Sequence, residues 1–197
     1  MQCAGRTINV HSNFMRAVVQ RVRCASVRVD DQVISRIGHG LVVLIGFGND
    51  DTEVEIDWMV SKVLTLRLFA DESAKLSRSV TDIAGDILVV SQFTLLGDLR
   101  KGSRPDFSSA MPSSKAEPFY RGFMTKLRAF NDSQESSLRA QTIAEGKFAA
   151  KMEVDLVNDG PVTIVLDRKP AAVLPEGIEK KPLPAIRPDR GGDRDGR

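Results

Sequence analysis

The chain has 197 residues, 42% of them hydrophobic and 27% charged, with a formal net charge of +2. That is enough for one domain with a real hydrophobic core; the mildly basic balance permits an acidic partner such as RNA without demanding one. The longest apolar runs, residues 41–48 and 87–90, are too short to cross a bilayer, so no membrane partner is expected.

Two cysteines, Cys3 and Cys24, cannot build a disulfide framework and fit a reducing, cytoplasmic compartment. The only histidines are His11 and His39, the latter inside a Gly-His-Gly turn. This excludes a serine or cysteine nucleophile served by a histidine base, and a histidine-rich metal site; no metal or cofactor is expected.

Residues 1–14 lack periodicity and acidic side chains and read as a disordered leader. From Met15 the pattern is β. Residues 16–22 and 26–30 are valine-rich strands, Asp30-Asp31 is a turn, and residues 32–37 continue the meander. Residues 41–45 are continuously apolar, which predicts a strand covered on both faces. Gly46-Phe47-Gly48 resembles the start of a dinucleotide fingerprint, but position 51 is Asp51 and no Walker lysine follows, so no nucleotide-cofactor site is read there.

Thr52-Glu53-Val54-Glu55 is a capping box opening a helix with Ile56, Met59, Val60, Val63 and Leu64 on one face, and Trp58 beside that stripe is a packing residue. A strand through residues 67–69 and a polar loop over residues 71–81 follow. Residues 86–96 form a second buried strand running straight into Ser91-Gln92-Phe93-Thr94. Each buried hydroxyl or amide left unpaired costs about 1–3 kcal/mol, so these side chains either satisfy neighbouring backbone or line a strand-end site.

Residues 99–114 are a polar loop whose Arg100, Lys101 and Arg104, with Lys115 just beyond, are suited to phosphate contact. Ser114-Lys115-Ala116-Glu117 reads as another capping box, with Pro118 in the first turn and Tyr120, Phe123, Met124, Leu127 and Phe130 as the apolar stripe. Two β-type runs, residues 152–156 and 162–166, then flank Asn158-Asp159-Gly160-Pro161, which predicts a hairpin with a stiff tip. Five of the nine prolines lie beyond residue 167 among mixed charges, so residues 168–197 read as a disordered tail after a single folded domain over residues 15–167.

Two segments together resemble the signature motifs of the D-aminoacyl-tRNA deacylases: Ser91-Gln92-Phe93-Thr94 and Asn158-Asp159-Gly160-Pro161-Val162-Thr163. The resemblance runs from Met15 to about Asp167. It includes Ala17-Val18-Val19-Gln20-Arg21-Val22, the Gly102-Ser103-Arg104-Pro105-Asp106-Phe107 loop and Gly146-Lys147-Phe148-Ala149-Ala150-Lys151-Met152. It departs from the family at Ala74-Lys75-Leu76-Ser77, where the family has G-K-M-N, and in a longer connection over residues 131–145.

The resemblance implies an α/β fold of layered, barrel-like β-sheets flanked by two main helices. It implies hydrolysis of the ester joining a D-amino acid to tRNA, with mischarged glycyl-tRNA as a further substrate, by a homodimer whose active site lies at the subunit interface. Carried onto this chain, a cis Gly160–Pro161 corner of one subunit would check chirality in the partner's pocket. Ser91, Gln92, Phe93 and Thr94 would form the catalytic strand end, with main-chain donors from Gln92, Phe93 and Thr94. Arg21 would brace the Gly–Pro loop, and Phe148, Ala149 and Ala150 would lie along the pocket wall. A non-catalytic nucleic-acid-binding module using the basic loop and tail is the alternative.

Overall fold

The computed structural model describes residues 14–135 and 139–168. The leader before residue 14 and the tail beyond residue 168 lie outside the described residues. Ten elements follow in order: β1 (Met15–Val29), β2 (Gln32–Ile37), β3 (Gly40–Gly46), α1 (Glu53–Thr65), β4 (Phe69–Ala70), β5 (Leu76–Arg78), β6 (Asp86–Ser91), α2 (Ser113–Asp132), β7 (Ile143–Glu145) and β8 (Glu153–Arg168). The main sheet runs β2-β1-β3-β6-β7, with β8 on the other side of β1.

β3 and β6 pair in parallel from Gly40↔Asp86 to Ile45↔Ser91 and are buried on both faces, as their unbroken apolar runs predict. Leu41, Val43, Ile45, Ile87 and Val89 face the helices; Val42, Leu88 and Val90 face a second core with Val22, Ala25, Val27 and Ile37. The chain thus forms a curled, barrel-like sheet with α1 and α2 packed on one side. Thr52 caps α1 with the expected reciprocal box: its side chain accepts from Val54 N–H, and Glu55 accepts from Thr52 N–H at 2.9 Å.

Five expectations are corrected. Residues 16–30 are one strand, not two, and β8 is one strand, not a hairpin: its two halves pair with β1 rather than with each other. Thr163 lies opposite Gln20 and Asn158 opposite Val22, so the four residues 159–162 stand opposite Arg21 alone. The Asn-Asp-Gly-Pro segment is therefore a large bulge, four residues against one. It sits where both strands pass from one core to the other, since Val19 and Ile164 pack on the helix side but Val22 and Leu156 in the second core.

The strand after Leu68 is only Phe69–Ala70 and pairs with Leu76–Arg78 inside the predicted polar loop. The strand ending at Ser91 does not continue: residues Phe93–Leu96 form a 3₁₀ turn. Finally, α2 begins at Ser113 with Pro112 as N-cap and no side-chain cap bond. Glu117 pairs instead with Arg121, and Pro118 lies two residues deeper in the helix than expected.

Candidate active site

The parallel pair β3–β6 ends in a cavity of about 660 Å³, lined at its base by Ile45, Gly46, Val90, Ser91, Gln92 and Phe93. That is the size of a small-molecule pocket. Gly46 makes the base possible. A Cβ there would sit 2.6 Å from the Gln92 carbonyl oxygen and 2.7 Å from Leu96 Cδ2. The first glycine of the Gly-Phe-Gly segment thus permits two backbones to touch; no phosphate needs it.

At that contact the Gln92 N–H donates to the Ile45 carbonyl at 2.7 Å. It is therefore not directed at a ligand. Phe93 and Thr94 open the 3₁₀ turn, and the first N–H groups of a helical turn have no acceptor within it. The Gln92 side-chain amide donates to Thr94 Oγ1. Thr94 itself is exposed and not among the cavity-lining residues, whereas Ser91, Gln92 and Phe93 are.

The opposite wall is Phe148, Ala149, Ala150 and Met152. The turn closes through Ala150 N–H donating to Lys147 C=O at 3.2 Å, with Ala149 at φ 57°, a left-handed conformation unfavourable for a residue with a Cβ. Tyr120 supports this wall: its ring lies 5.8 Å from that of Phe148, and its hydroxyl donates to Val89 C=O at 3.0 Å. Burial, reinforced by the Glu145 carboxylate, raises the Tyr120 phenol well above its ordinary range, so it stays protonated as a donor.

Sequence reasoning missed the third side, formed by Phe47, Phe107, Met111, Pro112, Ser113 and Ala116. Phe107 belongs to the Arg-Pro-Asp-Phe loop already singled out. Its ring meets that of Phe93 edge-on at 5.1 Å, and Phe93 is 57% exposed, an aromatic edge at the mouth of the cavity. The expected basic loop is partly self-paired, with Arg100 on Asp98 at 2.6 Å.

Arg21, Gly160 and Pro161 lie elsewhere. Arg21 pairs with Leu41 at the start of β3, whereas the cavity sits at Gly46, five residues along. At about 3.4 Å per residue the bulge and the cavity are roughly 17 Å apart along the strand. The Gly160–Pro161 bond is cis, and both residues are exposed. Arg21 holds the bulge from behind. Its Nε lies 3.0 Å from Asp159 Oδ2 and donates to the Asp159 carbonyl at 3.3 Å, while Nη1 donates to Leu68 C=O at 2.5 Å. Gly160 has φ 115°, and a Cβ there would meet Arg21 Nη2 at 2.7 Å, so this position needs glycine twice over. Asn158 closes the bulge by donating to Arg21 C=O and Val162 C=O.

Residues 18–167 match the family described as D-Tyr-tRNA(Tyr) deacylase. D-aminoacyl-tRNA deacylases of Desulfitobacterium hafniense and Acaryochloris marina are each 50% identical to the chain, over 78% and 79% of its length and 97% of theirs. Among solved structures, one described as c-Myc DNA Unwinding Element Binding Protein superposes with a TM-score of 0.71 at 49% identity, covering 79% of this chain and 99% of that one. Another, described as a probable eukaryotic D-amino acid tRNA deacylase, gives 0.66 at 19% identity, over 78% and 99%, and shares the fold.

Proposed function

Since the chain belongs to the D-Tyr-tRNA(Tyr) deacylase family and so hydrolyses the ester bond of D-aminoacyl-tRNA, we propose that it works as a homodimer whose two pockets are each completed by the partner's Gly160–Pro161 bulge. One observation carries this reading: the bulge faces solvent, about 17 Å along the strand from the cavity of its own chain. A two-fold contact is reciprocal, so one docking event brings each bulge to the other cavity.

In the assembled site the ester carbonyl lies against the Phe93 and Thr94 main-chain N–H groups. They stabilise the oxyanion that develops as water attacks, an effect worth about 3–4 kcal/mol per donor in other hydrolases. Thr94 orients groups and does not attack; the terminal ribose 2′-hydroxyl assists. Phe148, Ala149 and Ala150 form the wall beside the reacting group. The carbonyls of the partner's Gly160 and Pro161 receive the α-ammonium group and crowd the place where an L side chain would project, while a D side chain points outward. The reading places the protein with the translation machinery in the cytoplasm.

A non-catalytic nucleic-acid-binding role is the competing reading, favoured by the description of the 49% identical solved structure. Release of D-tyrosine against L-tyrosine from charged tRNA, with a simple D-tyrosine ester as control, separates the two. Release of the D residue from tRNA alone supports the deacylase site. No release, with a steep salt dependence of binding, supports the alternative.

A further inference from the structure

Asp159 precedes the Gly–Pro corner, and two arginines and a histidine converge on it. Arg21 Nε lies 3.0 Å from Oδ2, Arg23 Nε 3.5 Å from Oδ1, and His39 Nε2 3.9 Å from Oδ2. They are unequal. The Arg21 side chain is 13% exposed and that of Asp159 24%, so this pair is shielded from solvent; Arg23 at 76% and His39 at 54% are surface partners that add little. Arg21 is in turn fixed by its bond to Leu68 C=O and lies 6.0 Å from the Phe69 ring centre; His39 meets the same ring edge-on.

The path from core to corner is therefore short: the Leu68–Phe69 backbone fixes Arg21, Arg21 grips Asp159 by both its carboxylate and its carbonyl, and Gly160 is the next residue. We propose that Asp159 is the positioning residue of the stereochemical check, its carboxylate setting the direction in which Gly160 and Pro161 leave the sheet. This rests on the reading of Gly160 and Pro161 as the group that judges handedness. Asn158 closes the bulge internally, but its two bonds reach only Arg21 C=O and Val162 C=O within the same ladder. The Asp159 carboxylate ties the corner to the Arg21 side chain at 3.0 Å, and that side chain is anchored outside the ladder on Leu68 C=O.

The effect is one of selectivity. A corner free to swing still leaves the Phe93 and Thr94 donors in place, so D substrates react, but it no longer occupies the space of an L side chain reliably. For Asp159→Asn the ratio of kcat/KM on D- over L-tyrosyl-tRNA is expected to fall by at least roughly tenfold, chiefly through a rise on the L substrate. Asp159→Glu, which keeps the charge, restores part of the ratio. Thermal midpoints are measured alongside, because a merely structural role lowers both activities together with the midpoint and leaves the ratio unchanged. An unchanged ratio in Asp159→Asn overturns the proposal, whether or not the midpoint falls. Deletion of Gly160 and Pro161 serves as control. If it too leaves the ratio unchanged, the reading of the corner fails; if it abolishes selectivity while Asp159→Asn does not, only the role of Asp159 fails.

Discussion

Gly46 and Gln92 are in backbone contact: the Cβ that Gly46 lacks would lie 2.6 Å from the Gln92 carbonyl oxygen. The end of β3 thereby sets the height of the 3₁₀ turn that carries Phe93 and Thr94. Gly46→Ala must push that turn outward, because both atoms in its way, the Gln92 carbonyl oxygen and Leu96 Cδ2 at 2.7 Å, belong to the segment that forms the turn. Overpacking of this kind costs roughly 1–3 kcal/mol. The expected outcome is that loss in urea unfolding, with a fall of about tenfold or more in kcat on D-tyrosyl-tRNA as the two donors leave the carbonyl.

On the proposed mechanism Thr94 orients groups and does not attack. Its Oγ1 accepts from the Gln92 side-chain amide, and an amide N–H cannot take the proton that a nucleophilic hydroxyl must lose. Thr94→Ala is expected to lower kcat by no more than about tenfold. No acyl adduct should appear on the wild type by mass spectrometry after rapid quench. A tRNA ending in 2′-deoxyadenosine should lose far more than the variant does. A trapped acyl-threonine would reverse the assignment.

What could be read from residues alone was whatever one segment decides for itself. The runs at 41–45 and 87–90 are apolar at every position because both faces are covered, and no distant contact is needed to see that. The Thr52–Glu55 box closes within one turn. The Asn158–Pro161 segment has turn chemistry in either of two architectures; whether it is a hairpin tip or a bulge depends on which strand its flanks choose, and they choose β1. β7 and the β4–β5 pair are too short for any period to emerge. Gly46 was quoted and its role missed, because that role belongs to Gln92, 46 positions away. In the site, motif residues 91–93 and 148–150 meet on one cavity, while its third side comes from loop residues and the first turn of α2, which carry no signature motif beyond Phe107.

Asp51 makes stability depend on pH. It is buried and accepts from Gly48 N–H at 2.7 Å and Met15 N–H at 2.9 Å. Desolvation outweighs these donors, and its carboxyl is pushed up to about 7 from 3.8. The folded chain therefore holds this proton more tightly than the unfolded one. Its contribution is fully present below the unfolded value and is lost as pH rises towards about 7. Urea unfolding should show wild type losing stability, relative to Asp51→Asn, between about pH 4 and about pH 7, by at most a few kcal/mol. A parallel pH course for the two proteins would exclude it.

Glycine tests what the corner senses. If handedness is judged by crowding the place of an L side chain, a residue without Cβ presents nothing to reject. Glycyl-tRNA should therefore be deacylated, whereas L-alanyl-tRNA, larger by one methyl, should not. Rates on D-alanyl-, L-alanyl- and glycyl-tRNA under single turnover give the comparison directly. Should L-alanyl-tRNA react like glycyl-tRNA, the check reads side-chain size and not configuration.

Complementation tests whether the bulge acts across a dimer. Ala150→Trp fills the cavity wall and leaves the bulge intact; deletion of Gly160 and Pro161 removes the corner and leaves the cavity intact. Each variant alone should lack D-selective turnover. When the two are co-expressed, each mixed dimer pairs one open cavity with one intact bulge. Random association makes half of the dimers mixed, each with one working site of two, so about a quarter of wild-type D-selective activity should return. A bulge that served its own chain's cavity would restore none, because no single chain in the mixture carries both parts. The roughly 17 Å between Arg21 and Gly46 along β3 argues for the first outcome. Nothing in the bulge, held by Arg21 and Asn158, lets it fold back over that length.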